Sequence, residues 1–287
     1  MRFAVVGGIN LDVTGVITGE TRPGDSNPGR IGLSPGGVGR NIAAALRGHG
    51  QEVLFVTALP GGMAGDALKR DCLNLGLDLS RAVDAAEDES MYLSLHSREG
   101  EMLLAVNDMS AAEHVTYGVI KAASEDINRS AACVVDANLS EEALKSASDN
   151  VKIPIVADAV SVSKCARLKP LFPRLAAFKP NLMEARFLTG ETSPALAAKT
   201  LCRMGIRRVF ISLGKDGLYW RGENGEGLLA PERTFSCQTT GAGDSLCAGL
   251  AMGTALGLDV KETALLGQKL AFERLSQNEI KAQFTAP

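Results

Sequence analysis

The chain predicts an α/β fold, with a mostly parallel central sheet covered by helices on both faces and a small separate β-sheet as a lid. Three observations carry this. From residue 117 to 212, apolar strand-length runs alternate with helical segments, the pattern of a helix-covered parallel sheet. Strand-like segments near 13–33 and 90–107 interrupt the alternation and suggest a sheet of their own. Late in the chain, the glycine turn Thr239-Thr240-Gly241-Ala242-Gly243-Asp244-Ser245 opens an apolar helix. With 287 residues, one large domain over 1–287 is expected.

Taken in order, Phe3–Ile9 reads as a buried strand broken by Gly7-Gly8. Asn10 and Asp12 follow at its C-terminal end, where such sheets bind ligands, although both are also common turn formers. Residues 13–35 hold Pro23, Pro28 and several glycines, with weak strand signals near 13–18 and 30–33. Ser34-Pro35-Gly36-Gly37-Val38-Gly39-Arg40-Asn41 leads into a helix over Ile42–Gly48, with Asn41 facing the same space as the glycines. Strand Glu52–Ala58, helix Ala64–Leu75 and strand Arg81–Val83 come next. Met91–Ser97 and Glu101–Val106 form a hairpin around Arg98-Glu99-Gly100. The regular part predicts helices at 117–128, 140–149, 161–166, 181–189 and 193–204, and strands at 132–136, 153–157, 176–178 and 207–212. A β-rich piece over Gly217–Pro231 and helices over 243–257 and 260–275 close the fold.

Composition removes several functions. A net charge of −3 provides no basic face for nucleic acid. Six cysteines without a C-x-x-C pair, and only three histidines, disfavour a structural metal site and fit reduced thiols in the cytoplasm. Met1-Arg2 runs straight into the first strand and no apolar run reaches spanning length, so neither a secretory leader nor a membrane segment is expected. There is no G-x-x-x-x-G-K-[ST] and no complete G-x-G-x-x-G, which disfavours a nicotinamide dehydrogenase.

The turn at 239–245 offers backbone N–H groups at a helix N-terminus, where the dipole also favours an anion. An acid among those donors fits proton removal from a hydroxyl that attacks a held phosphoryl group. Read alone, the stretch is equally a helix start with Asp244 as its cap. Ser212-Leu213-Gly214-Lys215-Asp216-Gly217 either borders a nucleotide or is a turn between strands.

Pro35-Gly36-Gly37-Val38-Gly39-Arg40-Asn41 resembles the first signature of the ribokinase-like (PfkB) sugar and nucleoside kinases. Thr239-Thr240-Gly241-Ala242-Gly243-Asp244 resembles their second, and Lys179-Pro180-Asn181 with Glu184 the segment between. All three occur in family order, and the likeness runs from about residue 3 to about 275. It implies a ribokinase-like three-layer α/β/α domain with lid. Asp25-Ser26-Asn27-Pro28-Gly29, Tyr92-Leu93-Ser94-Leu95, Gly100-Glu101-Met102-Leu103, Val106-Asn107-Asp108-Met109 and Asn138-Leu139-Ser140 are similar to the pseudouridine-phosphorylating members.

The resemblance implies Asp244 as general base for the ribose 5′-hydroxyl, and Gly241, Ala242 and Gly243 as anion hole for the γ-phosphoryl. It implies that Asn10, Asp12, Gly36, Gly37 and Asn41 hold the ribose hydroxyls, with Asn138 also on the substrate side. Ser26, Asn27, Tyr92 and Asn107 would line the base pocket, Tyr92 being equally a lid-core residue. Asn181 and Glu184 would order Mg²⁺, its waters and the ATP phosphates, with Glu184 acting on the metal through water. Ser212, Gly214 and Gly217 would border the nucleotide. Many relatives carry Asp in a monovalent-cation site where this chain has Gln238, so that site is not implied here. Lids of the family commonly pair, which implies a homodimer through the lid. The implied function is ATP-dependent phosphorylation of pseudouridine. The same chemistry on ribose, uridine or adenosine is the alternative, and a non-catalytic nucleoside-binding protein is the reading from another class.

Overall fold

The computed structural model describes residues 1–231, 233–235 and 239–285. Strand β1 (Arg2–Val6) is followed by β2 (Asn10–Ile17), β3 (Gly29–Gly36), α1 (Val38–Gly48) and β4 (Glu52–Val56). Next come β5 (Ala58–Pro60), α2 (Gly62–Asn74), β6 (Val83–Ala85), β7 (Met91–His96) and β8 (Met102–Asp108). The alternating part runs α3 (Tyr117–Asn128), β9 (Ala132–Asp136), α4 (Glu141–Asn150), β10 (Ile155–Asp158), β11 (Leu175–Lys179), α5 (Leu182–Thr189), α6 (Pro194–Arg203) and β12 (Val209–Ser212). The hairpin β13 (Leu218–Gly222) and β14 (Gly225–Leu229) precedes α7 (Ala242–Ala255) and α8 (Val260–Thr285).

Eight strands form the main sheet in the order β14-β13-β12-β11-β10-β9-β1-β4, parallel from β12 to β4 and antiparallel at β13 and β14. The strands are continuous apolar runs because both sheet faces are covered. In β1, Phe3 and Val5 join a core with α1, α2, α7 and α8, whereas Ala4 and Val6 join a core with α3, α4, α5 and α6. This is the α/β/α layering that the alternation predicts.

The second sheet, ordered β3-β2-β7-β8, is the small lid. Its strand β2 begins at Asn10, so Asn10 and Asp12 are strand residues and not turn formers. Pairing with β3 down to Asn10↔Gly36, and the Leu11 N–H bond to Ser90 O at 2.9 Å, hold them extended. The register sorts the lid into two faces, because opposed residues point the same way. Ser34, Asp12, Tyr92 and Asn107 form one row across the four strands, with Thr14 and Ser94 in the next row of that face. The opposite face carries Val13, Ile31, Leu33, Leu93, Leu95, Leu104 and Val106.

Four further expectations shift. The strand expected over Glu52–Ala58 divides into β4 and β5, and the one expected at Arg81–Val83 lies at Val83–Ala85, paired with β5. The short helix expected at 161–166 is replaced by 3₁₀ turns over Cys165–Arg174, where Pro170 and Pro173 cannot donate α-helical hydrogen bonds. The last helix ends at Thr285 and not near 275. Asn10, Gly36, Asp136, Asp158, Lys179 and Ser212 thereby all come to strand ends on the rim where the lid joins the sheet.

Candidate active site

The first half of the site is the start of α1. Gly37, which precedes the helix, has φ 96°, and a Cβ there would sit 2.6 Å from the Ile9 Cα, so only glycine fits. One turn in, Asn41 donates from Nδ2 to Asp244 Oδ2 at 2.9 Å. Its Oδ1 accepts from Arg40 Nη1 at 3.1 Å, and Arg40 is anchored on Asp71 Oδ2 at 2.6 Å. Arg40 therefore fixes which way round the Asn41 amide points. Sequence reasoning placed Arg40 within the glycine motif but assigned it no role.

The second half is the start of α7. Gly241 caps this helix in the left-handed region with φ 81°. Its carbonyl accepts from Ser245 N–H at 2.9 Å, and the Thr239 carbonyl accepts from Ala242 N–H at 3.1 Å. Ala242 has thus spent its donor within the turn. The first-turn N–H groups of Gly243 and Asp244 have no carbonyl one turn earlier in the helix, which leaves them as anion donors.

Asp244 lies in an electrostatically crowded place. Burial, with Asp158 next in strength, pushes its carboxyl up to about 7, against the opposing pull of Lys179 and the Asn41 hydrogen bond. Lys179 Nζ is 2.8 Å from Asp158 Oδ2, and both side chains are buried. Burial alone would lower the Lys179 pKa, but Asp158 more than offsets this and the ammonium is held charged. A Cβ on Gly243 would come 3.1 Å from Lys179 Nζ, so this ammonium lies directly behind the α7 donors. Asp136, buried at the end of β9, accepts from Gly8 N–H at 2.9 Å and Asn138 N–H at 2.8 Å. Burial raises its carboxyl to about 6. Asp136, Asp158 and Lys179 end three consecutive strands in charged residues. That signal at a sheet's ligand edge was present in the sequence and went unused.

Asn10 Nδ2 donates to Asp12 Oδ1 at 2.5 Å, and burial raises the Asp12 carboxyl, with Asn10 and Arg40 opposing. Gly36 ends β3 opposite Asn10. Asn138 Oδ1 accepts from Lys164 Nζ at 2.7 Å, and its Nδ2 faces Gly8, where a Cβ would lie 2.9 Å from it. Tyr92 and Asn107 share the row of Asp12, with Tyr92 OH 3.7 Å from Met102 Sδ. Ser26 and Asn27 are not brought to this group. They lie in the loop beyond Ile17 and Gly29, five strand residues from Asp12, about 17 Å at 3.3 Å per residue. Asn27 is also bonded into its own loop, through Arg22 N–H, Arg22 O and Asp25 O.

A cavity of about 480 Å³ lies beside the α7 start, lined by Asn181, Ser212, Gly214, Gly217, Ala242 and Gly243 among others. Four of the five expected nucleotide-side residues therefore meet there, with Asn181 as the link to the fifth. Asn181 and Glu184 form a reciprocal cap on α5, with Glu184 N–H to Asn181 Oδ1 at 2.9 Å and Asn181 N–H to Glu184 Oε2 at 2.7 Å. Asn181 Nδ2 also holds Glu184 Oε1 at 2.8 Å. Burial raises the Glu184 carboxyl, partly offset by the Asn181 backbone and Lys179. Among the described residues, no group of three or more His, Cys, Asp or Glu could hold a metal directly. The Glu184 carboxylate, held by the Asn181 N–H and Nδ2, is an oxygen donor of the kind that suits Mg²⁺ or its water shell. The remaining walls come from Arg233, Phe235, Gln268, Ala271, Phe272 and Leu275, none of which was foreseen. Gln268, Ala271 and Leu275 recur at helical spacing, a signal that could have marked this face of α8. Gln238, tied above to a monovalent cation, lies outside the described residues, as does Cys237.

The profile of the pfkB family carbohydrate kinases matches residues 2–281. The chain belongs to that family. It is 34% identical over 280 residues to the pseudouridine kinase of Escherichia coli K12, covering 95% of this chain and 90% of that one. Among solved structures, ribokinase from Thermotoga maritima superposes with a TM-score of 0.83 at 19% identity, covering 94% of this chain and 91% of the other. Arabidopsis thaliana ribokinase complexed with ribose and ATP gives 0.80 at 18%, with the same coverage of 94% and 91%. This pfkB-family chain is therefore an ATP-dependent kinase of the sugar and nucleoside type with a ribokinase-like fold. No helix of the described residues is long and apolar enough to cross a membrane.

The raised carboxyl of Asp244 carries a stability consequence. A folded-state pKa of about 7 against the ordinary Asp value of 3.8 means ionised Asp244 opposes folding once pH exceeds 3.8, fully so above 7. Asp244→Asn should stabilise the free protein at pH 8 by at least about 1 kcal/mol, or roughly 2–4 °C in Tm. The gain should shrink as pH falls through 7. Thermal melts of both proteins at pH 8 and pH 5.5 check this; a variant less stable at pH 8 would contradict it.

Proposed function

We propose that this kinase transfers the γ-phosphoryl group of ATP to the ribose 5′-hydroxyl of pseudouridine, giving pseudouridine 5′-phosphate. The observation that carries the chemistry is the Asn41–Asp244 hydrogen bond, which joins the two glycine motifs at one half-buried acid. The 34% identity to a pseudouridine kinase, extending through the lid strands, supports the acceptor.

In this reading Asn10, Asp12 and Asn41 hold the ribose, and the Asp12–Tyr92–Asn107 row of the lid covers the uracil. Asn41 occupies Oδ2 of Asp244, so Oδ1 is the atom left to take the 5′-hydroxyl proton. As the new oxygen–phosphorus bond forms and the bond to the β-phosphate oxygen breaks, charge on the transferring group meets the Gly243 and Asp244 N–H groups and the Lys179 ammonium behind them. ATP would lie in the cavity between α8 and the β12–β13 turn, its phosphates pointing to the start of α7. Mg²⁺ would neutralise phosphate charge, with Glu184 and Asn181 on its water shell. A base whose pKa is near 7 is matched to operation at neutral pH. The lid's polar face then turns to the substrate and excludes water, a competing acceptor.

The lid's outer face supports a homodimer. Ile31 is 78% exposed, Leu33 66%, Leu104 59% and Val106 57%, a contiguous apolar surface on a sheet with open edges.

Two measurements test these readings. ATP consumption with Mg²⁺ should be fastest on pseudouridine among pseudouridine, uridine, adenosine and ribose, and Asp244→Asn should lose about 10²–10⁴ in rate. Turnover fastest on ribose or uridine would overturn the acceptor and leave the mechanism standing. Sedimentation should give a dimer that Leu33→Lys with Leu104→Glu converts to monomer; an unchanged mass would exclude the lid as the interface.

A further inference from the structure

Arg274, packed against the start of α7, is a cation that phosphoryl transfer as described above does not use, as are Lys215 and Arg233 in the cavity wall. Burying a guanidinium without partners is unfavourable, and the other well-covered arginines avoid it. Arg40 pairs with Asp71, Arg47 bonds the Leu75 and Gln51 carbonyls, and Arg208 joins Glu223 and the Leu258 carbonyl. Arg274 is half-buried, its Nε is fully covered without a hydrogen-bond partner, and it has no ion pair among the described residues.

Its position is specific. A Cβ on Gly241 would lie 3.0 Å from Arg274 Nε and 3.3 Å from Nη2, so the guanidinium packs against the backbone of the α7 cap. On α8, its neighbours Ala271, Phe272 and Leu275 line the nucleotide cavity. Asp136, Asp158, Glu184 and Asp244 crowd the same rim, with Lys179 as their buried counter-ion. A triphosphate arriving there adds several more negative charges.

We propose that Arg274 is a positioning residue for phosphoryl transfer, a fixed cation behind Gly241 that holds the anion-binding turn in register and adds positive charge beside the transferring group. Arginine suits this place because its planar fork stays charged and can lie flat on a loop backbone. Lys179 backs the turn from the sheet side at Gly243, and Arg274 backs it from the α8 side at Gly241. The turn is thus clamped between two cations before nucleotide arrives, which lowers the reorganisation needed in the transition state. The inference rests on the phosphoryl-transfer reading above and adds a residue to it.

The test compares Arg274→Met and Arg274→Lys with the unaltered protein and with Asp244→Asn. Arg274→Met should lower kcat by about 10²-fold or more, as loss of a transition-state donor does, with the KM for the nucleoside little changed and the Tm retained. Arg274→Lys should keep part of the rate. Guanidinium chloride at low millimolar concentration should restore at least about tenfold of the Arg274→Met rate and none of the Asp244→Asn rate; a purely structural loss would not be rescued by a small cation. Calorimetry without acceptor should show Arg274→Met weakening ATP by at least about tenfold while AMP is unaffected, a readout that holds even if the acceptor is misassigned. A folded Arg274→Met with near-normal kcat and ATP affinity, or with a lost rate that guanidinium does not restore, would overturn the proposal. Absence of turnover by the unaltered protein on every acceptor would instead overturn the phosphoryl-transfer reading.

Discussion

The structure depends on keeping a carboxylate with a pKa near 7 in a half-buried place crowded with other charges. Asp244 projects from the first turn of α7 toward α1, and Asn41 meets it there. That contact exists only if the two glycine motifs, separated by 203 positions, are brought together by the sheet between them. Beneath them lies the Lys179–Asp158 pair, whose two charges act on the acid in opposite senses. Lys179 offsets charge at Asp244 while Asp158 works the other way, and the balance leaves the acid ionisable at neutral pH.

A buried ion pair of this kind is weak evidence for stability, since desolvation consumes much of its attraction. Its use here is positional. Lys179 follows an apolar strand and presents its ammonium immediately behind Gly243, where negative charge would gather during transfer. The acids Asp136 and Asp158 end neighbouring strands, so each is locked by a parallel ladder and not by a loop. Asp136 in turn ties Gly8 and Asn138 to the same rim. The site is therefore largely a property of strand ends, with α1 and α7 supplying the parts proposed to touch the reacting groups.

Much of this was legible in the sequence because the signals are local and strong. Apolar runs such as Phe3-Ala4-Val5-Val6 and Ala132-Cys133-Val134-Val135 can belong only to strands covered on both faces. The glycine motifs announce backbone approaches that no other residue permits, and Gly37 and Gly241 meet that requirement with positive φ. The lid is visible as an irregular excursion over 13–35 and a hairpin over 91–106, although its start at Asn10 is not, because pairing with β3 and not local propensity fixes it.

What escaped depends on long-range packing. The cavity wall from α8 is not legible because apolar residues surround that helix, one side meeting α7 and another the cavity, so no single stripe stands out. Ser26 and Asn27 were grouped with the substrate residues by resemblance, yet β2 and β3 carry their loop away from Asp12. Ala242 was counted as a donor, but Thr239 already uses its N–H, a detail of turn geometry that spacing does not encode. The measurement that bears most directly on the account is the pH dependence of kcat/KM for the unaltered enzyme. It should rise with a single ionisation near pH 7, as Asp244 loses its proton and becomes able to accept one, and level off above it. A profile flat from pH 5 to 8 would contradict Asp244 acting as the base.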